Sequence, residues 1–537
     1  MPKAAEDRLP KTFDPARWTA HDPPNMHVRI LAGLACCAAL VASGQSTNSL
    51  PGTGPLSLPQ CIDLALSRNL DLRIEHLTVD TAGYNLAGAY GAYNPISSFG
   101  AQRGYVSEPS NFDPEKYNPD YPAEIHTDTL GPDLRGQLPL GLSYDLGASA
   151  VAQDAVTDFR SDASHVGDFP GGIRHTNDYL AETRLILRQH LLKDFWIDSA
   201  RQTLLIRRKE LGMSQQALRF QIMKTVLAVE VSYYDLITAR ELVKVQEKAV
   251  ELRQQLVAET RRRVEVGDLP PLDSEQAETQ LQNALTTLTI AREVYGTQQN
   301  CLKRLLSDDF REWADYDLQP ADVLLALPTD VNRSKSFQRA MKNRPDLIEA
   351  RLAIEKRAVV VKFQHNQLFP NLDLVGHYGG LGVDADSGHA LNQAFSFSNP
   401  DYFYGVVVSY PLGNTTARGS YRASQAAKQI AELQLKKAEQ EVLVQIADYV
   451  NRVQSRFSQV GSTRKARSYA EAALAAEQKK LQNGLSTSFF VLQLQETLTA
   501  ARTAELQALA EYNRTLAQLA FAEGGTLERN HLALEGK

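Results

Sequence analysis

The chain carries one passage twice, and this duplication limits its fold more than any other feature. From Leu66 the sequence reads LSRNLDLRIEHLTVDTAGYNLAGAYGAYNPISSFG, and from Met341 it reads MKNRPDLIEARLAIEKRAVVVKFQHNQLFPNLDLVG. The copies align without gaps at an offset of 275 residues, with Ala65 on Ala340, Asp71 on Asp346, Leu72 on Leu347 and Pro95 on Pro370. Each reads as a helix of about nine turns. Each helix ends ahead of a proline, whose preceding residue is pushed out of the helical region, and a strand-like stretch follows.

A second duplication lies in the longer helices. The segment beginning EVSYYDLITARELVKV aligns on the one beginning ADYVNRVQSRFSQVGST at an offset of 217, with Gly267 on Gly484. Apolar residues fall at steps of three and four, at Val226, Val229, Tyr233, Leu236 and Val243 in one copy and Leu443, Ile446, Val450, Val453, Phe457 and Val460 in the other. That spacing is a coiled-coil seam. Glycine ends each long helix, and Pro270-Pro271 or Ser486-Thr487-Ser488 start the next. Each copy is therefore a helical hairpin, with long helices near Ser199–Val264 and Arg418–Gln482 and returning helices near Leu272–Leu306 and Ser488–Phe521. A long helix of this kind extends for about 100 Å. Its returning partner is half as long, and the shorter opening helices (Ile62–Tyr93 and Phe337–Gln367) make up the difference if stacked end to end.

Strands fill the space between opening and long helices. DYFYGVVVSYPLG puts Tyr402, Tyr404, Val406, Val408 and Tyr410 on one face, apolar with tyrosines at both ends, as a lipid-facing strand with aromatic girdles requires. YLAETRLILRQHLL alternates Tyr179, Ala181, Thr183, Leu185 and Leu187 against Glu182, Arg184 and Arg188. The same alternation also suits a soluble sandwich. The segment 131–172 has no counterpart in the second half and reads as an extra hairpin.

Composition removes several function classes. Lys+Arg 57 against Asp+Glu 63, a net charge of -6, gives no basic excess for a nucleic-acid partner. No HExxH, CxxC, P-loop or GxSxG pattern occurs, so neither an enzyme nor a cofactor is expected. From Met26 a short basic region, an apolar stretch from Ile30 to Val41 and Ala42-Ser43-Gly44 form a secretory signal peptide. Export would leave Cys61 and Cys301, between which a disulfide is permitted but not required. The expected order is an extension and signal peptide (1–44), a linker (45–61), a first repeat (62–315), an equatorial linker (316–336), a second repeat (337–523) and a tail (524–537).

The two repeats, the strand-to-helix passages LRQHLLKD and SYPLGNTTARG, and the tips VGDLPPLD and NGLSTSFF together resemble the TolC-like outer-membrane efflux protein family from about Leu56 to Glu523. The resemblance implies a mostly α fold with a membrane β-barrel: long coiled-coil hairpins forming a periplasmic tunnel, joined to a trimeric 12-stranded barrel in the outer membrane of a Gram-negative cell, with the extra hairpin in or beside it. It implies a homotrimer embedded in outer-membrane lipid, the exit duct of a tripartite efflux or type I secretion system, working with an inner-membrane transporter and a periplasmic adaptor. A periplasmic adaptor and a structural coiled-coil envelope protein are the alternatives.

By the same resemblance, Gly267, Asp268, Leu269, Gly484, Leu485 and Ser486 dock the adaptor. Family members commonly narrow the periplasmic entrance with acidic residues six and nine positions after the second tip glycine. Here those positions hold Phe490 and Gln493, while the first repeat keeps Asp273 at the sixth. The expected constriction is then partly apolar. Asp273 equally suits a helix N-terminus, and Phe490 equally suits seam packing.

Overall fold

The computed structural model describes residues 54–109, 123–158, 172–267, 269–483 and 485–532. The signal-peptide segment 1–44, most of the linker that follows it, Asp268 and Gly484 lie outside these residues.

The opening helix of each half is broken in two, where the sequence alone reads as continuous. In the first half α1 (Leu58–Arg68) and α2 (Leu70–Ala89) meet at Asn69, and in the second α6 (Arg333–Asn343) and α7 (Pro345–Asn366) meet at Arg344. Both hinge residues have extended backbone. Asn69 caps α2 by accepting from the amides of Asp71 and Leu72. At Arg344 the cause is Pro345, which disfavours helical geometry in the residue before it and starts the next helix.

The long helices are α3 (Ser199–Glu265) and α9 (Thr415–Gln482), and the returning helices are α4 (Pro271–Leu306) and α10 (Ser488–Ala522). Asp198 starts α3 by accepting from the Arg201 amide at 2.7 Å, and Gly267 ends it with φ +84, a left-handed turn that glycine adopts without strain. The seams keep a seven-residue beat. Val250 and Val257 on α3 pack with Ala277, Leu281, Ala284 and Leu288 on α4. Ala470, Leu474 and Leu481 on α9 pack with Val491 and Leu498 on α10, and Leu256 of α3 joins that cluster, so the two hairpins lie side by side. Nearer the sheet, α3 packs against α2 and α7, and α9 against α7.

The largest core gathers where short and long helices meet. Val226, Val229, Tyr233 and Leu236 of α3 and Ile446, Val450 and Val453 of α9 are buried there with Trp313 and Leu318. Trp313 belongs to the short α5 (Phe310–Trp313). The extended segment after it is pinned by two tyrosines at equivalent places in the repeats: Tyr295 reaches the Leu318 carbonyl and Tyr512 that of Leu327, at 3.4 and 2.6 Å. The short α11 (Thr526–Arg529) closes the second half.

Six strands form one antiparallel sheet in chain order: β1 (Ile96–Glu108), β2 (Ala123–Gln137), β3 (Leu142–Asp158), β4 (Ile173–His190), β5 (Asn371–Asp384) and β6 (Asn399–Ser409). The extra hairpin expected from Gly131 is thus β2 and β3, and it begins at Ala123. A short helix, α8 (Ser387–Phe395), lies across β4 and β5. Gly380 and Gly382 make room for it, because a Cβ there would meet the carbonyls of Ala394 and Ala390 at 2.2 and 1.9 Å.

Candidate functional site

The sheet has two chemically distinct faces. One register row crosses all six strands through Ser97, Leu134, Leu146, Leu185, Tyr378 and Tyr402, and on β6 the same face continues through Tyr404, Val406 and Val408. Tyr402, Tyr404, Val406 and Val408 are all exposed, Tyr404 at 83%, and Tyr410 just beyond the strand is exposed too. The adjacent row passes through Ser98, Asp133, Gly147, Arg184, Gly379 and Asp401 on the opposite face. This polar face is the more enclosed one along β2 from Ala123 to Asp133, where its residues are half-buried and alternate with exposed ones.

Ion pairs populate the polar face. Arg184 pairs with Asp133 and lies 3.6 Å from Asp145, which Arg135 meets at 3.2 Å. His190 bonds Asp373 at 2.6 Å. His377 lies 3.4 Å from Asp401 and stacks on Phe403. His365 packs edge-on against Phe369 and Tyr421. Among the described residues no group of His, Cys, Asp and Glu is arranged to hold a metal ion, and no helix is long and apolar enough to cross a membrane.

At the far end of the helices the tips expose apolar side chains. Val266 and Leu272 are 70% and 59% exposed on the first hairpin, and Leu485, Phe489 and Phe490 are 77%, 62% and 52% exposed on the second. Gly267 forms the first turn and Leu269 beside it is half-buried. Leu485 donates its amide to the Lys480 carbonyl, and Ser486 donates to Glu477. The Ser486 bond, and then Lys480, hold the Glu477 carboxyl below its usual range.

The constriction candidates sit on the first turns of the returning helices. Asp273 is half-buried in the first turn of α4, where its charge complements the helix dipole. Phe490 lies outside the α9–α10 seam, which Val491 fills, and touches Phe489 edge-on. Gln493 is exposed one turn further on. Cys61 is fully buried, Cys301 half-buried, and both are free thiols.

Duplicated helical hairpins topped by an antiparallel sheet with one apolar and one charged face define a channel protein of the outer membrane. The chain belongs to the outer membrane efflux protein family, whose model matches residues 195–307 and 337–525. It is 22% identical over 328 residues to outer membrane efflux protein BepC of Brucella suis biovar 1 (strain 1330), covering 60% of this chain and 67% of BepC. Its fold matches the outer-membrane channel OprN with a TM-score of 0.63 at 16% identity, covering 87% of this chain and 90% of OprN. It matches the Campylobacter jejuni CmeC outer membrane channel with a TM-score of 0.63 at 14% identity, covering 89% and 90% of the two chains. The protein is thus an outer-membrane efflux channel with a large periplasmic portion, and the adaptor and structural coiled-coil alternatives fall away.

Proposed function

We propose that three copies form the exit duct of a tripartite efflux or type I secretion system, receiving substrate from an inner-membrane transporter through a periplasmic adaptor. The observation that carries this reading is the sidedness of the sheet, with its exposed Tyr- and Val-bearing row on one face and the Asp133, Arg184 and Asp145 ion pairs on the other. Lipid accepts the first face, and a water-filled bore accepts the second. Backbone polar groups at a free sheet edge are not tolerated in lipid, so a single open sheet requires other copies to close it.

The tips are the adaptor-docking surface in this reading. Gly267, Leu269, Leu485 and Ser486 stand at the ends of the two hairpins, beside the exposed Val266, Leu272 and Phe489, and Asp268 and Gly484 belong to the same surface in this reading. Apolar groups left in water at the ends of otherwise polar hairpins supply the central contacts of an interface. Asp273, Phe490 and Gln493, one turn or more inside the tips, are the constriction.

The test is export in cells carrying Leu485→Arg or Gly484→Arg. Export should be lost while the trimer stays in the outer-membrane fraction at normal yield. Normal export by both variants would remove the tips from the docking surface.

A further inference from the structure

We infer that the β2–β3 hairpin is part of the membrane-spanning wall, so that three copies of the six-stranded sheet close a barrel of 18 strands, with β6 of each copy paired to β1 of the next. This rests on the trimeric duct proposed above and goes beyond it, because likeness to the family leads to a barrel of only 12 strands.

The hairpin is continuous with the wall on both sides. β2 pairs with β1 from Ala123 to Arg135, and β3 pairs with β4 from Leu142 to Asp158. A plug or an external loop has no need of the wall's sidedness, yet the hairpin keeps it in the half next to the helices, before Glu124, His126, Asp128 and Asp154 enter the apolar row towards the far end. Leu130, Leu134, Tyr144, Leu146 and Ala150 lie on the apolar face, while Asp133, Arg135 and Asp145 lie on the polar one.

Charged side chains bind the hairpin to β4 across that polar face. Arg184 reaches over β3 to Asp133 on β2, and Gly147 lies in the register row between them. A Cβ at Gly147 would meet Asp133 Oδ1 at 2.4 Å and the Arg184 guanidinium at 3.1 Å. A side chain at 147 would force the ion pair to shift.

The hairpin turn is also fixed to the base of the wall. It is a tight loop at residues 138–141, closed by Gly141 at φ +80. Gln137 donates to Asp198, the residue that caps α3, and Gln189 of β4 donates to the Leu140 carbonyl, each at 3.2 Å. The turn therefore sits at the helical end, and Glu108, Ala123, Asp158 and Ile173 end or begin their strands at the opposite end, as an up-and-down barrel wall requires. At 15 and 17 residues, β2 and β3 exceed the roughly 9–11 that span a bilayer.

Closure follows from strand direction. β1 runs away from the helices and β6 runs back towards them, so the two edges of adjacent copies meet antiparallel and give the even strand number expected of such barrels. Barrel diameter grows roughly linearly with strand number, so the outer mouth is about half as wide again as a 12-stranded one. The narrow point then lies at the helical tips, and the barrel admits whatever the tunnel passes.

The direct test is electron cryomicroscopy of the full mature chain purified as an assembly in lipid nanodiscs. Eighteen wall strands in a trimer are expected. A trimer with 12 wall strands, with β2 and β3 inside or outside the wall, would overturn the inference and leave the duct reading intact. Absence of a trimer would overturn both. A second measurement uses register partners on a background with Cys61→Ala and Cys301→Ala: Gln102→Cys with Thr129→Cys, and Ser149→Cys with Glu182→Cys. Both pairs should form intrachain disulfides in most assembled copies, with trimer yield and export unchanged. Locks that form only in unassembled chains, or that abolish the trimer, would place the hairpin outside the wall.

Discussion

The Asn69 side-chain amide donates to the Leu305 carbonyl across 3.2 Å, and the Arg344 guanidinium makes the matching bond to the Ala522 carbonyl, also at 3.2 Å. Asn69 and Arg344 stand at the 275-residue offset of the opening repeat, and Leu305 and Ala522 at the 217-residue offset of the hairpin repeat. Both halves thus build the same joint. The last turn of a returning helix is tied to the hinge residue of an opening one, and two short helices form one column beside the long helix. Exposed carbonyls at a helix C-terminus need such donors, and a cation there also meets the favourable end of the dipole.

Breaking the joints should lower stability unequally. Arg344 is buried, with its side chain 8% exposed, and also bonds Gln445 and the Asp346 carboxylate at 3.0 and 2.7 Å. Arg344→Ala is expected to cost about 2–4 kcal/mol, because charged bonds and a buried carbonyl lose their partner. Asn69→Ala should cost about 1–2 kcal/mol through the lost cap and the lost carbonyl bond. Arg344→Lys should recover only part, since an ammonium cannot reproduce the fork. Thermal denaturation of the purified assembly checks the order, and equal midpoints for all three variants would contradict it.

The long helices were legible in the sequence because their signals are local. Gly267 and the seven-residue beat bound α3 to within a residue of Ser199–Val264. The joints were not, because Asn69 inside a polar helical run looks like any exposed residue until its distant carbonyl partner is seen. The Arg344-Pro345 step did carry a local signal, the proline that displaces its predecessor from helix. The start of the extra hairpin was obscured by Gly131-Pro132, which reads as a turn. β2 runs straight through it, because its ladder to β3 lapses there, between Leu130–Ala150 and Asp133–Gly147, where proline has no amide to offer. The apolar row on β6 was visible from alternation alone, but the Asp133, Arg184 and Asp145 network needed strand register to assemble.

Glu230 gives the stability a pH dependence. Burial pushes its carboxyl up, against the opposing pull of Arg529 and of Asn530, whose amide donates to it at 3.2 Å. The folded state holds this proton more tightly than the unfolded chain. Its contribution is therefore complete below the ordinary value of 4.5 and is lost as pH rises through the raised value. Glu230→Gln keeps an acceptor for Asn530 and removes the charge, so its melting temperature should exceed the native one at pH 8 and match it near pH 4. A variant less stable at pH 8 would reverse the sign.

The cysteines should behave as separate thiols. Burial, and then the nearby Asp322 carboxylate, pushes the Cys61 thiol up to about 12, leaving almost no thiolate at neutral pH. Maleimide should label the native mature chain at Cys301 at most, and both positions after denaturation. Mobility should be the same with and without reductant. A reductant-sensitive shift after cleavage between them would show a bond.

Asp273 should set ion preference without holding the fold together. In the proposed trimer it places three carboxylates near the closed end, and in each chain it stabilises the first turn of α4 by about 0.3–1 kcal/mol. Asp273→Asn should weaken cation over anion selectivity, read as a reversal-potential shift towards zero in a salt gradient, with trimer yield unchanged. An unchanged reversal potential would return Asp273 to a purely capping role.

Conductance of the reconstituted protein across a planar bilayer, native against Phe490→Ala, tests the duct most directly. Phe490 is 52% exposed in the single chain and lies off the helical seam; in the proposed trimer an aromatic ring from each copy would close the bore by excluding water. A small resting conductance in the native trimer, rising several-fold in Phe490→Ala at equal trimer yield, is the expected result. Trimers that insert into the bilayer yet pass no ions in either form would contradict an open path through barrel and tunnel.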